Sequence, residues 1–135
     1  MNKMDEAIKN GTGIFVFGSN LAGVHGAGAA AHAETHWGAK RGVGVGISGL
    51  SYALPTKDEK IRTLPRSVIK RYVDLFLAFA KNHPELTFKV TQVGCGLAGY
   101  DAQDIAPMFR GAPSNCWFDA AWMPFLCNAN YWGHV

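Results

Sequence analysis

Cysteine is sparse: Cys95, Cys116 and Cys127 are the three in the chain. Their odd number and wide separation exclude a disulfide framework and do not match the spacing of a structural zinc site. Charge is modest as well. A formal net charge of +3 is too mild to imply a nucleic-acid or membrane-surface partner by itself. No apolar run approaches the ~20 residues that span a bilayer, and residues 1–9 lack the apolar centre of a signal peptide. No membrane partner and a reducing, cytoplasmic setting are therefore expected. The glycines spell neither G-x-G-x-x-G nor G-x-x-x-x-G-K-[ST], so the dinucleotide and Walker phosphate motifs are both missing. Nor do they repeat at a fixed period, which argues for loops and against a fibre.

What remains is a chain of 135 residues, 48% of them hydrophobic, enough to bury one core in one domain spanning 1–135. It is organised around residues 14–33. Ile14, Phe15, Val16 and Phe17 are consecutive apolar strand formers, Gly18 to Gly28 is rich in glycine, and Ala29 to Ala33 has the composition of a helix packed closely on a sheet. The pattern predicts strand, glycine loop and helix. Such a loop either cradles an anion on the free N–H groups of the helix or is only a tight turn that needs positive φ.

The polar segment 2–10 is too short to classify, and Asn10-Gly11 marks a turn. Trp37-Gly38 ends the first long helix. Val43, Val45 and Ile47 alternate with glycines, Ser48-Gly49 suits a turn, and residues 50–54 return, which predicts a hairpin. Pro55 is read as its end, leaving Thr56, Lys57 and Asp58 in a loop. Residues 65–81 form the clearest amphipathic helix, with Leu75 and Leu77 widening its apolar stripe enough to predict cover on more than one side. Residues 86–93 alternate as a strand. They lead into a second glycine loop, Gly94-Cys95-Gly96-Leu97-Ala98-Gly99-Tyr100, followed by a short helix with Asp101 as its N-cap. Residues 115–118 read as a last strand. The aromatic tail, 119–135, should be buried on this domain or on a second copy, so an oligomer through the tail is one reading. Strand, glycine loop and helix thus occur twice, and in an open α/β sheet ligands bind at the carboxyl ends of the strands.

Several side chains carry alternatives. Lys57 is either a solvated loop lysine or a phosphate-pairing or Schiff-base amine. Asp101 is a helix cap or a base. Cys95 is a small packing residue or a thiol activated at a helix start. His32 and His36 lie four apart, yet Glu34 is misplaced for H-E-x-x-H, so they read as helix surface. Arg62, Arg66, Lys70 and Arg71 form a basic stretch that reads as a solvated face before it reads as a phosphate or RNA contact, and nucleic acid is the third-ranked reading.

Gly26-Ala27-Gly28 with the alanine-rich helix, then Tyr52-x-Leu54-x-Thr56-Lys57, then Gly94-Cys95-Gly96-Leu97 with Ile105 and Met108 behind it, together resemble the macrodomain family. The closest branch is the one containing the terminal ADP-ribose protein glycohydrolase, and the resemblance covers residues 14–118. It implies an α/β fold of three layers with a mixed central sheet between helices. The implied ligand is ADP-ribose, a related NAD metabolite, or an ADP-ribosylated macromolecule; no cofactor and no metal is implied. Ligand contact falls on Gly18, Ser19 and Asn20, with Asn20 at the distal ribose. It also falls on His25, Gly26, Ala27 and Gly28, on Thr56, and on Gly94, Cys95, Gly96, Leu97, Ala98, Gly99 and Tyr100. In the hydrolase branch a Thr-Lys lysine and an acid directly after Gly-Cys-Gly-Leu do the chemistry. Here Lys57 is present, but Ala98 stands at the acidic position and Asp101 is the nearest carboxylate. The family's Gly-Asp pair, which meets adenine, is replaced by Thr12-Gly13, which leaves adenine to an aromatic such as Phe15 or Phe17 or points to a ligand without adenine. The expectation is an ADP-ribose binder, with ADP-ribosyl hydrolysis through Lys57 and Asp101 as the alternative.

Overall fold

A computed structural model describes residues 2–134. The chain forms an α/β fold on a six-stranded mixed sheet. Its elements in order are α1 (Lys3–Lys9), β1 (Gly13–Asn20), α2 (Gly28–His36), β2 (Gly46–Ser48), β3 (Ser51–Lys57), α3 (Arg66–Lys81), β4 (Thr87–Val90), α4 (Ala102–Ile105), β5 (Cys116–Asp119) and β6 (Asn130–Gly133), with 3₁₀ turns at Ala106–Phe109 and Ala120–Phe125. The sheet order is β2-β3-β1-β4-β5-β6. All neighbours are parallel except β2, which pairs antiparallel with β3 at one edge.

Alternation along the strands sends residues to two cores. Ile14 and Val16 of β1, Tyr52 and Leu54 of β3, and Phe88 and Val90 of β4 join Ile69, Val73, Phe76 and Ala80 of α3 in the larger one. Phe15, Phe17 and Ala53 face the other way onto Ala30 and Ala33 of α2. The alanines of α2 explain themselves here: a helix with small residues on its inner face can lie close to the sheet. Phe15 and Phe17 are therefore core residues, Phe15 stacked on Trp37 at 5.2 Å and Phe17 edge-on to His25 at 5.3 Å. Neither is free to hold an adenine. Thr12 and Gly13 lie at the amino end of β1, whereas the glycine loops follow carboxyl ends, so no group at 12–13 meets a ligand there either.

Three further expectations need correction. Pro55 does not end a strand. β3 continues through it to Lys57, because β2 has already stopped opposite Ala53 and leaves that edge of β3 without a partner that needs an N–H. The strand read over 86–93 is shorter, ending at Val90. Thr91 then turns back, its N–H and hydroxyl both donating to the Val16 carbonyl at 3.1 and 2.8 Å. Leu75 is 53% exposed, so α3 is covered on one face only. The tail, expected to be buried on this domain or on a second copy, packs on this domain. Trp122 is fully buried against Phe109 and Phe118, and β6 extends the sheet, with Trp132 Nε1 donating to the Val90 carbonyl at 2.9 Å and Lys89 Nζ 4.6 Å above its ring. This domain buries most of its own aromatic tail, leaving Met123 and Phe125 exposed.

Candidate functional site

A cleft of about 450 Å³ opens at the carboxyl ends of β1, β3 and β4. Its walls are the two glycine loops. One runs from Gly26 into α2; the other follows β4 from Gly94 to Ala98. They approach each other closely enough that a Cβ placed on Gly28 would lie 3.8 Å from Leu97 Cδ1. Gly28 has φ +59°, a conformation only glycine adopts without strain, and that turn starts α2 with its N-terminus at the cleft.

The walls carry backbone donors with no protein acceptor. Ala27 caps α2 without any side-chain acceptor. Among the described residues the N–H groups of Gly26, Ala27, Gly28, Ala29 and Ala30 donate to no protein acceptor, and neither do those of Gly94, Gly96, Leu97 and Ala98. The first N–H groups of a helix have no partner within it, and Gly26, Ala27, Gly28, Gly96 and Leu97 are exposed, so donors of both loops are open to an anion entering from solvent. Lys57, half-buried at the end of β3, is the one charged side chain in the lining, and among the described residues it makes no ion pair. Among the described residues no Asp or Glu lines the cleft.

Polar side chains in the lining mostly hold the walls in place. Asn20 receives the Val24 N–H at Oδ1 (3.0 Å) and donates from Nδ2 to the Val24 carbonyl (2.8 Å), so its first task is to fold the 21–24 turn. Ser19 donates to the Gly44 carbonyl at 2.6 Å, and Thr56 to the Ser19 carbonyl at 3.4 Å. Gly44 must lack a side chain, since a Cβ there would stand 2.3 Å from the Asn20 carbonyl oxygen. Thr63 ties down the second loop by donating to the Ala98 carbonyl at 3.0 Å.

Of the residues singled out in the sequence, the cleft gathers Gly18, Ser19, Asn20, Gly26, Ala27, Gly28, Thr56, Lys57, Gly94, Gly96, Leu97 and Ala98. Five lie outside its lining. His25 is buried beneath its loop, with Nε2 3.0 Å from the Lys40 carbonyl; that carbonyl can only accept, so Nε2 carries the proton. Cys95 packs against the larger core, and burial pushes its thiol up to about 11, the opposite of an activated nucleophile. Gly99 closes a turn onto Gly96, and the Tyr100 hydroxyl donates to the Leu64 carbonyl at 2.8 Å. Asp101 stands at the N-cap of α4, its N–H donating to Asp104, which in turn pairs with Arg66 at 3.1 Å. Three of the four residues of the basic stretch are engaged: Arg62 pairs with Asp58, Arg66 with Asp104 and Lys70 with Asp74.

The lining also contains residues that the sequence did not mark: Val24, Ala29, Ala30, Ile61, Thr91, Gln92 and Val93. Val24, Ile61 and Leu97 give the cleft an exposed aliphatic rim, at 52%, 44% and 71%. Ile61 has φ 64°, a left-handed conformation that a β-branched residue adopts only under constraint. The constraint is Asp58, whose carboxylate accepts the N–H groups of Lys60 and Arg62 at 2.8 and 2.9 Å. Those bonds, with Arg62, hold the Asp58 carboxyl below its ordinary pKa. Sequence position does point to Thr91, Gln92 and Val93, which directly follow a strand; nothing in the sequence marks Ile61.

A larger cleft, about 870 Å³, lies at the amino ends of β5 and β6, between the 110–114 and 124–130 segments. It contains neither glycine loop nor any of the candidate ligand-binding or catalytic residues, and Arg110 is the one charged residue among the described residues of its lining. The smaller cleft is the candidate because donors, cation and strand ends converge there. Comparisons of the chain with models of protein families, with curated proteins and with solved structures gave no match.

Proposed function

We propose that the cleft binds ADP-ribose or a related NAD-derived nucleotide through its diphosphate, and that the chain is a binding module of macrodomain type. One observation carries this reading: two glycine loops whose backbone N–H groups have no protein acceptor border one cleft, and among the described residues its lining holds one cation and no Asp or Glu. A bridged diphosphate offers acceptors to both rows at once, and each charge-assisted bond to backbone N–H is roughly twice as strong as a neutral one. The aliphatic rim suits the faces of a base or ribose at either end.

Hydrolysis is the weaker alternative. Cleaving a glycosidic or ester link needs a group to activate water, typically worth ~10² to 10⁴ in rate. The lining supplies an amine, Lys57, but no carboxylate, imidazole or thiol. A thermal-shift screen over ADP-ribose, its cyclic and phosphorylated relatives, NAD and unrelated nucleotides tests the proposal. Ligand at 100 times its Kd adds about 2.7 kcal/mol to a native state that alone binds it. The expected result is a shift with diphosphate-bridged nucleotides and none with nucleosides; no shift with any of them at millimolar concentration rejects it.

A further inference from the structure

We infer that Gln92 reads the base of the bound nucleotide by offering a fixed carbonyl oxygen to an exocyclic amino group. The inference rests on the cleft reading above and adds a selectivity to it.

Gln92 lines the cleft just beyond β4, and its Nε2 donates to Asp119 Oδ2 at 3.1 Å. Asp119, at the end of β5, is only 4% exposed. Its other oxygen, Oδ1, accepts the Ala121 N–H at 2.8 Å and faces His134 Nδ1 at 2.7 Å. A carboxylate surrounded in this way can only accept, so the carboxamide of Gln92 must turn its nitrogen toward Asp119 whatever the ligand. That leaves Oε1. It accepts from no described residue and is not among the buried atoms without partners, so it is open to solvent. The other polar side chains of the lining are engaged with backbone: Ser19 with Gly44, Asn20 with Val24, Thr56 with Ser19, and Thr91 with Val16. Gln92 thus presents the pure acceptor that remains.

Position assigns it to one end of the ligand. Lys57 ends β3 and Gln92 follows β4, on opposite sides of β1 in the sheet order, so a ligand lying between the glycine loops reaches Lys57 at one end and Gln92 at the other. An ammonium only donates, so Lys57 cannot meet an amino group. Hydroxyls of a ribose both donate and accept and would be indifferent to the orientation of Gln92. A base with an exocyclic amine is not. A 6-amino purine donates to Oε1, whereas a 6-oxo purine sets its own acceptor against Oε1, and the two cannot bond each other.

The test compares ADP-ribose with its 6-oxo analogue, inosine diphosphate ribose, by calorimetric titration of the full chain. The unmodified protein should bind ADP-ribose at least about tenfold more tightly, as expected when a polar site meets a ligand lacking its partner. Gln92→Met, which keeps the length of the side chain and removes its polarity, should bind both nucleotides equally. Asp119→Asn lets the Gln92 amide turn over and should narrow the preference. Equal affinities in the unmodified protein, or a full preference retained in Gln92→Met, would overturn the inference while leaving the cleft reading intact. Binding of neither nucleotide would reject both.

Discussion

The carboxamide of Asn20 clasps the backbone of Val24 from both sides, receiving its N–H at 3.0 Å and donating to its carbonyl at 2.8 Å. This pair fixes the first turn beyond β1 and so the direction in which the chain reaches Gly26 and α2. Asn20→Asp keeps the acceptor but sets a carboxylate against the Val24 carbonyl, and adds a negative charge to a cleft that has none. It should lower stability by about 1 to 3 kcal/mol, the cost of leaving a shielded polar contact unmade. It should also weaken anionic ligands more than Asn20→Ala does. Melting temperature and affinity measured on both variants check this; equal affinities would show that Asn20 acts only as a spacer.

Glycine variants separate packing from ligand approach. At Gly26 a Cβ would meet nothing within 4 Å and the backbone is not left-handed, so Gly26→Val should fold with stability within about 0.5 kcal/mol of the parent. It should nevertheless lose at least about tenfold in affinity if its branched side chain takes the anion's place. Gly28→Val is the contrasting case, because φ +59° makes any side chain there cost roughly 1 to 2 kcal/mol before ligand is considered. Chemical denaturation paired with titration distinguishes the two.

Ile61 lines the cleft at φ 64°. Ile61→Asn places a residue that tolerates this conformation and should raise stability by about 1 kcal/mol. Removing the aliphatic rim should at the same time weaken nucleotide binding. A variant that gains stability and keeps full affinity would show that the strained residue has no part in the site.

Burial raises the thiols of Cys95 and Cys116 from 9.0 to about 11 and about 12, and the phenol of Tyr52 from 10.0 to about 12. Each group holds its proton more tightly in the folded chain than in the unfolded one. Their contribution to stability is therefore complete below pH ~9 and is lost as pH rises through 11 and 12. Melting temperature should fall steadily over that window, and a rise would contradict the assignment. At neutral pH the exposed Cys127 should react with a thiol reagent first, with Cys95 and Cys116 following only on unfolding.

The sequence was most legible where periodicity was strong. The apolar run 14–17, the stripe of α3 and both glycine loops were read in place, because local pattern alone determines such elements. Pro55 misled because its tolerance depends on the neighbouring strand stopping short, a fact of the sheet and not of the dipeptide. β6 was missed because Asn130–Gly133 is a strand only through its pairing with β5, and parallel partners are remote in sequence. The site divided in the same way. Glycines and Lys57 announce themselves by type, whereas Asp58, Ile61 and the Gln92–Asp119 contact exist only once the loops are folded.

Lys57→Ala should leave stability unchanged, since Lys57 makes no ion pair among the described residues, and weaken diphosphate ligands on the order of tenfold. Ala98→Asp places a carboxylate in the wall where the lining has none. It should raise whatever hydrolysis of an ADP-ribosyl ester the protein shows. Steady multiple turnover by the unmodified chain, abolished in both Lys57→Ala and Asp101→Ala with binding intact, would replace the binder reading with the hydrolase one.

The most direct measurement is a calorimetric titration of ADP-ribose into the unmodified protein, Gly26→Val and Gly96→Val. Both glycines border the cleft, and a Cβ on either meets no other atom within 4 Å. Saturable binding at one site in the unmodified protein, lost in both folded variants, is the expected result. Absence of binding to the unmodified protein, or equal binding to all three, would contradict a diphosphate cradle between the two loops.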